Sequence, residues 1–439
     1  MNNITKIRNP GQRNLTKKRI LAANSQYVYI LYNLAIYITS FFLPVIAYFN
    51  AKVSLFVNGR KSVFTELKKH ITDKDSTIWI HAASLGEYEQ GLPIVEKLKA
   101  EYPTFKIVVS FFSPSGYEVI RQSATADLVT YLPLDTAHNV KRFIKLLQPK
   151  IAIFIKYEIW PNMLKELQNK GIPILLISAI FRNDQTYFKW YGGFMRNALL
   201  RFSHFFIQDS ESEKLLNSIG INNTTITGDT RFDRVSEILR QNNRLEFMDN
   251  FTKNNSCFVM GSTWPEDEEL LVAYINSSSH EMKYVIAPHN IVPKEIARLQ
   301  HQITKRTVLL SEISENSPVD PEVIIVDTIG LLTKIYSYAD IAYVGGAFTA
   351  GGLHNTLEPA VFGIPVIIGP NYAGFKEAEE LVKLRGIFTV SDIAEFACLA
   401  DKFILDSDFR TETGSINTSY ISNNKGASIQ VMNHIRTLL

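Results

Sequence analysis

The stretch TIWIHAASLGEYEQGLPIVEKL, from Thr77 to Leu98, passes from a strand through a turn to a helix. A β-branched apolar run ends at His81, a turn of small residues follows as far as Gly86, and a helical pattern begins near Glu87. Strand, tight turn and helix in this order form the repeating unit of a parallel α/β sheet. Ligands of such sheets bind at the carboxyl ends of the strands, where this turn lies.

The same alternation of apolar runs and amphipathic segments continues along most of the chain, with a polar stretch at 236–255 between two halves. Continuous apolar runs are typical of parallel strands that helices cover on both faces. The sequence therefore predicts two doubly wound Rossmann-like domains, at 51–240 and 241–415, with a final helix at 416–439. The runs that predict strands are 77–81, 106–112, 128–133, 151–155, 173–179 and 204–208 in the first half, and 257–261, 283–288, 307–310, 322–327, 341–346 and 365–370 in the second.

The N-terminal 50 residues are different, because a basic segment precedes a long uncharged one. Tyr27–Phe49 is almost entirely apolar, which is long enough to span a bilayer core, and tyrosines lie near both ends. We interpret residues 1–50 as a basic N-terminus and a membrane anchor, with a cleaved signal peptide as the alternative. Pro44 permits a kinked or re-entrant helix. The anchor is therefore either a helix that spans the membrane or one that lies in the membrane surface.

Composition narrows the function further. The net charge of +3 over 439 residues does not indicate nucleic-acid binding. Cys257 and Cys398 are far apart, so they predict neither a disulfide framework nor a metal site. The chain has neither a Walker lysine motif nor a G-x-G-x-x-G turn after the first strand, which disfavours an ATPase or a dehydrogenase.

Two turns of the first half carry candidate catalytic residues. Glu87 is placed to act as a general base, but a glutamate in the first helical turn also complements the helix dipole. Lys156 and Glu158 follow the strand at 151–155 and suit either a ligand site or a simple ion pair. In the aromatic, basic segment at 178–201, a membrane-surface role and a packed helix remain equal alternatives.

The second half offers turns suited to a nucleotide. Ser262 and Thr263 follow a strand, and we expect their hydroxyls and amides to face the ligand crevice. The glycine-rich loop that begins at Gly345 leads to HNTLEP, where amides at a helix start favour phosphate and Glu358 suits a ribose diol. Arg231, after the turn ITGDT, is either a phosphate ligand or a solvated charge.

Together and in this order, these motifs resemble the Kdo (3-deoxy-D-manno-octulosonic acid) transferases of lipopolysaccharide assembly. The most specific parts are HAASLGE, YEIWPN, TGDTRFD, GST, VDTIG and GGLHNTLEPAVFGIPVIIGP, and the similarity covers nearly the whole chain. The resemblance implies a GT-B fold, in which two Rossmann-like domains face a cleft. It also implies transfer of Kdo from CMP-Kdo to the lipid A precursor (lipid IVA), with inversion and without a cofactor or metal. The implied place is the cytoplasmic side of the inner membrane.

The resemblance also assigns residues. Glu87 is the catalytic base of the H-x-x-S-x-G-E motif, and Arg231 replaces a transition-state-stabilising lysine. Lys156 stands where the family has a stabilising acid, so that role is open here. Ser262 and Thr263 join the donor site through their position at a strand end. The implied CMP contacts are Pro288, His289, Ile329, Gly330, Leu331, Asn355, Thr356, Leu357 and Glu358, of which His289 replaces an arginine and Leu331 a glutamate.

Two alternatives accompany this hypothesis. Another GT-B enzyme, either a glycosyltransferase with a different donor or a nucleotide-sugar epimerase, shares the same fold and the same phosphate loops. A membrane-tethered nucleotide-sugar binding protein would bind CMP without releasing it from CMP-Kdo, and it would have no need of a base at Glu87. The anchor and the basic aromatic segment favour a lipid acceptor and contacts with membrane lipid.

Overall fold

The computed structural model describes residues 10–121, 125–253, 255–313, 320–349 and 352–439, and for 10–26 it describes the backbone alone. These residues divide into two compact units. Unit 1 runs to Thr230 and includes Gly426–Leu439, and unit 2 is Arg231–Lys425.

Unit 1 contains a parallel sheet of seven strands with helices on both faces. Its strands are β1 (Ser76–Ala82), β2 (Phe105–Phe111), β3 (Leu128–Tyr131), β4 (Pro149–Ile155), β5 (Ile174–Ala179), β6 (His204–Ile207) and β7 (Thr224–Ile226). Their order in the sheet is β3-β2-β1-β4-β5-β6-β7. Its helices are α1 (Pro10–Phe49), α2 (Ala51–Lys61), α3 (Val63–His70), α4 (Leu85–Glu101), α5 (Pro114–Ile120), α6 (Ala137–Leu147), α7 (Pro161–Asn169), α8 (Gly193–Leu199), α9 (Ser210–Ser218) and the last helix, α19 (Ala427–Ile435).

Unit 2 repeats this plan. Its strands are β8 (Ser256–Thr263), β9 (Met282–Pro288), β10 (Thr307–Leu309), β11 (Val323–Ile325), β12 (Ile341–Val344), β13 (Val366–Ile368) and β14 (Ile387–Thr389), all parallel in the order β10-β11-β9-β8-β12-β13-β14. Its helices are α10 (Arg231–Ile238), α11 (Glu246–Thr252), α12 (Pro265–Ser277), α13 (Pro293–Gln302), α14 (Leu332–Ile335), α15 (Leu357–Ala360), α16 (Lys376–Leu384), α17 (Ile393–Leu405) and α18 (Ser407–Asn424).

The strands are apolar on both sides because each sheet separates two cores. In β1, Trp79 faces one core, while Ile78 and Ile80 face the other, which includes residues of α4 and α19. All three side chains are at most 1% exposed. The doubly wound α/β architecture expected from the sequence is confirmed in both halves.

The two units differ in extent from the predicted domains. Arg231 and the rest of α10 belong to unit 2, where α10 packs against α15 and α18, although the predicted boundary lay after residue 240. The predicted final helix at 416–439 is two helices: α18 starts at Ser407 in unit 2, and α19 returns to unit 1. The return follows from burial, because Val431, Met432 and Ile435 of α19 are fully buried in the unit 1 core.

The predicted anchor lies within α1. Tyr27–Phe49 has a mean hydropathy of 1.9 and is long and apolar enough to cross a membrane. A helix of this kind near the N-terminus is weak support for membrane association, since a signal sequence has the same properties.

Candidate active site

The candidate catalytic residues of unit 1 lie at the switch point of its sheet. β1 and β4 are neighbours, and the strand order runs outward from them in opposite directions. The turns after these two strands lead to Glu87 and Glu158. An open α/β sheet forms its ligand crevice at this position, so the fold brings together the two carboxylates that are 71 residues apart in the chain.

The sequence left two roles for Glu87, as a general base and as a residue that complements the start of a helix, and the structure allows both. It lies in the first turn of α4, and its Oε2 accepts hydrogen bonds from the N–H groups of Ala83 (2.6 Å) and Ser84 (3.2 Å). Its Oε1 makes no hydrogen bond with any residue that the structure describes. The exposed Gly86 beside it leaves open space where a Cβ would lie. Glu87 therefore caps the helix with one oxygen and keeps the other available to a substrate.

The surroundings of Glu87 favour its protonated form relative to a glutamate in water. Burial raises the pKa of Glu87, and the charge of Glu158 raises it further. The N–H groups of Ala83 and Ser84 and the ammonium of Lys156 oppose this shift without cancelling it. A carboxylate with a raised pKa accepts a proton more readily near neutral pH, which is what a general base requires.

The surroundings of Glu158 favour its ionised form, in contrast to those of Glu87. Its Oε2 accepts from Trp160 Nε1 at 2.8 Å and lies 3.0 Å from His81 Nε2. The other ring nitrogen of His81 contacts Ser110 Oγ at 2.9 Å. Burial alone would raise the pKa of Glu158, but the His81 and Trp160 contacts keep it below the ordinary value. His81 therefore orients an ionised carboxylate next to Glu87.

Lys156 belongs to the same site. It follows β4 with a φ of 60°, and its N–H donates to Ile177 O at 2.9 Å. Its charge lowers the pKa of Glu87 and so opposes the effect of burial on the candidate base.

The second candidate site lies at the switch point of unit 2, between β8 and β12. The chain after β12 must turn tightly, since a Cβ on Gly345 would lie 2.4 Å from Ser262 O and Gly346 has a φ of +97°. Asp267 joins the two turns: its Oδ2 accepts from the N–H groups of Trp264 and Gly346, both at 2.9 Å. Its Oδ1 accepts from Tyr343 Oη at 2.6 Å. The glycine-rich loop is thus attached to the start of α12.

Three aromatic rings lie together at this end of the sheet. Trp264 stacks on His289 with ring centroids 4.8 Å apart, and His289 stacks on His354 at 4.3 Å. Trp264 Nε1 donates to His354 Nε2 at 2.9 Å. Burial lowers the pKa of His354 to about 4, and the neighbouring His289 lowers it as well. A neutral His354 is the form that can accept from Trp264, so the stack is stable at neutral pH.

The carboxylate predicted to bind ribose is positioned by two side chains. Asn355 Nδ2 donates to Glu358 Oε1 at 3.1 Å, and Thr333 Oγ1 donates to Oε2 at 2.9 Å. Thr356 and Leu357 between them are buried. The helix that follows, α15, has only four residues.

Other predicted donor-site residues differ in their surroundings. Ile329 is 91% exposed and Gly330 has a φ of +93°, so this turn is open to a ligand. Leu331 instead packs against the core, as an apolar replacement for an acid would. The expectation that Thr263 presents its hydroxyl is wrong, because Thr263 is 1% exposed and Oγ1 donates to Glu268 at 3.2 Å. Ser262 has a φ of 54°, and Pro288 ends β9.

Arg231 makes a bidentate ion pair within unit 2. Its Nη1 and Nη2 donate to the two oxygens of Glu377 at 2.7 and 3.1 Å. The Glu377 carboxylate is almost fully buried, so Arg231 is held in a fixed orientation.

Sequence reasoning missed several residues of these sites. Trp264 and His354 stand directly beside predicted contacts, in STWP and LHN, but single aromatic residues carry no recognisable pattern. Asp267 is three residues after Trp264, the spacing of a capping residue, which is the one signal that marked it. Glu377 had no signal, because it is separated by 146 residues from Arg231.

Solved structures with the same architecture define the class of the protein. UDP-GlcNAc 2-epimerase from Neisseria meningitidis, solved bound to UDP-GlcNAc, gives a TM-score of 0.59 at 15% identity, covering 82% of this chain and 100% of that one. MurG from Acinetobacter baumannii gives 0.52 at 12% identity, covering 83% and 99%. Identities this low show the fold alone, and the fold is GT-B.

The family follows from sequence. Residues 59–234 match the family described as 3-Deoxy-D-manno-octulosonic-acid transferase (kdotransferase). The 3-deoxy-D-manno-octulosonic acid transferase of Haemophilus influenzae is 27% identical over 379 residues, which cover 82% of this chain and 87% of that protein. Residues 59–234 thus match the Kdo transferase family, and the similarity to Kdo transferases over most of the chain supports a glycosyltransferase. The resemblance found in its motifs is thereby confirmed.

Proposed function

We propose that the protein transfers Kdo from CMP-Kdo to a hydroxyl of the lipid A precursor, lipid IVA, with inversion at the anomeric carbon. The observation that carries this proposal is the Glu87 carboxylate, which lies at the switch point of unit 1 within the family-matching segment. One of its oxygens is held by backbone N–H groups, and the other makes no hydrogen bond within the described structure.

The reaction is a single displacement. The acceptor hydroxyl oxygen forms a bond to the anomeric carbon of Kdo, and the bond from that carbon to the phosphate oxygen of CMP breaks. Glu87 takes the hydroxyl proton, and CMP leaves with the bonding electron pair. Attack on the face opposite the leaving group inverts the configuration. Lys156, near Glu87, stabilises negative charge that develops during the attack.

Unit 2 supplies the donor site. Glu358, fixed by Asn355 and Thr333, accepts from the ribose hydroxyls. The exposed ring of His289 offers a stacking face to the cytosine. The remaining contacts that the proposal includes are Pro288, Ile329, Gly330, Leu331, Thr356, Leu357 and the backbone of Ser262 and Thr263.

Arg231 offsets charge on the departing CMP phosphate in this scheme. The ion pair with Glu377 orients its guanidinium, and an arginine held in this way loses little further side-chain entropy when it meets a phosphate.

The apolar helix α1 agrees with a lipid acceptor and is weak support for membrane association. The proposal places the protein at the inner membrane, with the catalytic units on the cytoplasmic side. A second candidate function is nucleotide-sugar epimerisation, because a UDP-GlcNAc 2-epimerase shares the fold.

A conservative change at Glu87 tests the proposal. Glu87→Gln keeps an oxygen that can accept from Ala83 and Ser84, so the helix cap survives while the base is lost. We expect turnover of CMP-Kdo with lipid IVA to fall about 10²- to 10⁴-fold, the range for loss of a general base. CMP affinity, measured by calorimetry, should stay within about twofold, since proton transfer plays no part in binding.

Glu96→Gln, an exposed change on the same helix, is the matched control and should turn over normally. Wild-type turnover in Glu87→Gln would remove Glu87 as the base. Epimerisation of UDP-GlcNAc by the wild-type protein, without Kdo transfer, would establish the alternative function.

A further inference from the structure

Helix α1 and the short helix α2 form a hairpin, which we define as residues 27–61. Asn50 alone connects them in extended conformation, and its side chain caps α2 by accepting from the N–H groups of Lys52 and Val53. One face of α1 is half-buried between Tyr29 and Ala47, and the two helices contact each other. The half-buried side chains of α1 are Tyr29, Tyr32, Asn33, Ile36, Ser40, Leu43 and Ala47.

The first end of the hairpin, at Tyr29 to Asn33, is hydrogen-bonded to the rest of unit 1. Tyr32 Oη donates to Asp135 Oδ2 at 2.7 Å, and Asn162 Nδ2 donates to Asn33 Oδ1 at 2.9 Å. Tyr29 Oη also donates to Asn162 Oδ1, at 2.5 Å. Asp135 is 1% exposed and accepts from the Asn162 N–H at the start of α7. The amino-terminal end of the apolar helix therefore lies against the unit that carries Glu87.

The second end of the hairpin is bonded to the same unit. Arg60 Nε donates to Leu132 O at 2.9 Å, and Nη2 donates to Phe112 O at 2.7 Å. The guanidinium lies 3.4 Å from the centroid of the Phe56 ring. Arg60 is half-buried, and this burial lowers the pKa of its guanidinium to about 9. These carbonyls directly follow β2 and β3, and α2 thus returns the chain to unit 1.

This geometry conflicts with a simple membrane crossing. A helix of 23 residues, such as Tyr27–Phe49, is about 34 Å long at 1.5 Å per residue. If it crossed the bilayer from a distant N-terminus, Tyr29 to Asn33 would be separated from unit 1 by the hydrocarbon core. Their hydrogen bonds to Asp135 and Asn162 exclude that separation.

The outer surface of the hairpin suits lipid. Its α1 part, Tyr27–Phe49, exposes apolar side chains along its length and carries no charge, whereas the exposed polar residues Asn50, Lys52 and Asn58 follow in the connection and α2. A contiguous exposed apolar surface marks an interaction site. Trp190 and Tyr191, 93% and 61% exposed, precede α8, whose Phe194 contacts Tyr32. The exposed large apolar side chains of the hairpin are Tyr27, Val28, Ile30, Leu31, Leu34, Tyr37, Ile38, Phe41, Phe42, Val45, Ile46, Tyr48, Phe49 and Leu55.

Charge near the first end points to a bilayer as the occupant. Lys165 lies 4.4 Å from the centroid of the Tyr29 ring. Exposed aromatic residues beside cations are typical of a membrane–water interface with anionic head groups. An apolar face also suits contact with a second copy of the chain. Such a contact, however, does not require charged and aromatic residues at its border.

We propose that the hairpin is a monotopic membrane insertion, which enters and leaves one leaflet on the side where unit 1 lies. Its root, formed by Tyr29, Tyr32, Asn33 and Arg60, stays at the surface, and its tip around Phe49 lies in the hydrocarbon. Asp135 caps α7, the helix that directly follows Glu158 and Trp160, so the root is hydrogen-bonded to the element next to the candidate catalytic site.

The test uses the full-length protein in sealed vesicles of zwitterionic and anionic phospholipid. Cys398 is replaced by Ser. Lys6→Cys then introduces a thiol that precedes the hairpin in the sequence, or Lys74→Cys introduces one at an exposed position of unit 1. Labelling with a membrane-impermeant maleimide, before and after detergent is added, shows on which side of the membrane each introduced thiol lies. The proposal predicts equal labelled fractions of both variants in intact vesicles. Complementary fractions, with Lys6→Cys labelled where Lys74→Cys is not, would establish a crossing helix.

A third variant tests the depth of the tip. We expect Phe49→Cys to be protected from the maleimide until detergent is added. Rapid labelling in intact vesicles would overturn insertion. If the wild-type protein instead forms a dimer and does not float with the vesicles, the apolar surface is a contact with a second copy of the chain.

Discussion

Glu87 and Glu158 lie at one switch point, and their surroundings shift their pKa values in opposite directions. Glu158 receives hydrogen bonds from His81 and Trp160 and stays ionised. Glu87 is partly buried and faces that charge, so its pKa is raised. Carboxyl pairs that their environments push apart in this way commonly divide the tasks of a catalytic site, with one group exchanging the proton and the other providing charge.

This arrangement predicts a pH dependence. Glu87 acts as a base only when ionised, so kcat/KM should fall as the pH drops through its pKa, above the ordinary range of glutamate. Glu158→Gln removes a charge that raises this pKa, and we expect the acid limb of the profile to move to lower pH. Glu118→Gln, a change of an exposed residue on α5, should leave the limb in place. A limb that is unmoved in Glu158→Gln would show that Glu158 does not act on the base.

His289 allows a prediction for the donor site. Its ring is the exposed member of the stack with Trp264 and His354. Stacking of a base on an aromatic side chain contributes about 1–3 kcal/mol in alanine substitutions, or about 5- to 150-fold in affinity. We therefore expect His289→Ala to weaken CMP binding by at least about fivefold in calorimetry. His280→Ala, elsewhere in unit 2, should bind normally, and an unchanged Kd in His289→Ala would remove the stacking contact.

Among the elements, the turn between β8 and α12 depends most on one side chain. Asp267 is fully buried and accepts three hydrogen bonds, which join the start of α12 to the glycine-rich loop and to β12. Its pKa is raised by burial and lowered again in part by these donors. A carboxylate in this position orders the backbone around the donor site without needing to touch the nucleotide.

Removal of this carboxylate should affect both stability and binding. Asp267→Ala leaves the Tyr343 hydroxyl and two N–H groups without an acceptor, at a cost of about 1–3 kcal/mol for each buried group that stays unpaired. We expect a lower Tm and weaker CMP binding. Glu266→Ala, an exposed change next to it, should alter neither. A lower Tm with unchanged CMP affinity would restrict Asp267 to a structural role.

At the scale of the molecule, both units place their candidate residues at a switch point of a parallel sheet. Unit 1 does so between β1 and β4, and unit 2 between β8 and β12. The chain then returns to unit 1 through α19, whose apolar residues complete the first core.

The sequence predicted most of this architecture because parallel strands buried on both faces carry continuous apolar runs. It missed β7 and β14, edge strands of three residues that are only partly buried and too short to show a period. Glu87 was identified because its motif is local. The orientation of Thr263 toward Glu268 and the pairing of Arg231 with Glu377 depend on which segments pack together, and no local pattern contains that information.

Mass spectrometry of the lipid product tests the central claim most directly. Purified full-length protein is incubated with CMP-Kdo and lipid IVA in detergent, and the intact lipid is then weighed, with Glu87→Gln as the parallel sample. The account predicts a lipid heavier by one or more Kdo residues with the wild-type protein and an unchanged lipid with Glu87→Gln. An unchanged lipid with wild-type protein that binds CMP would contradict the claim.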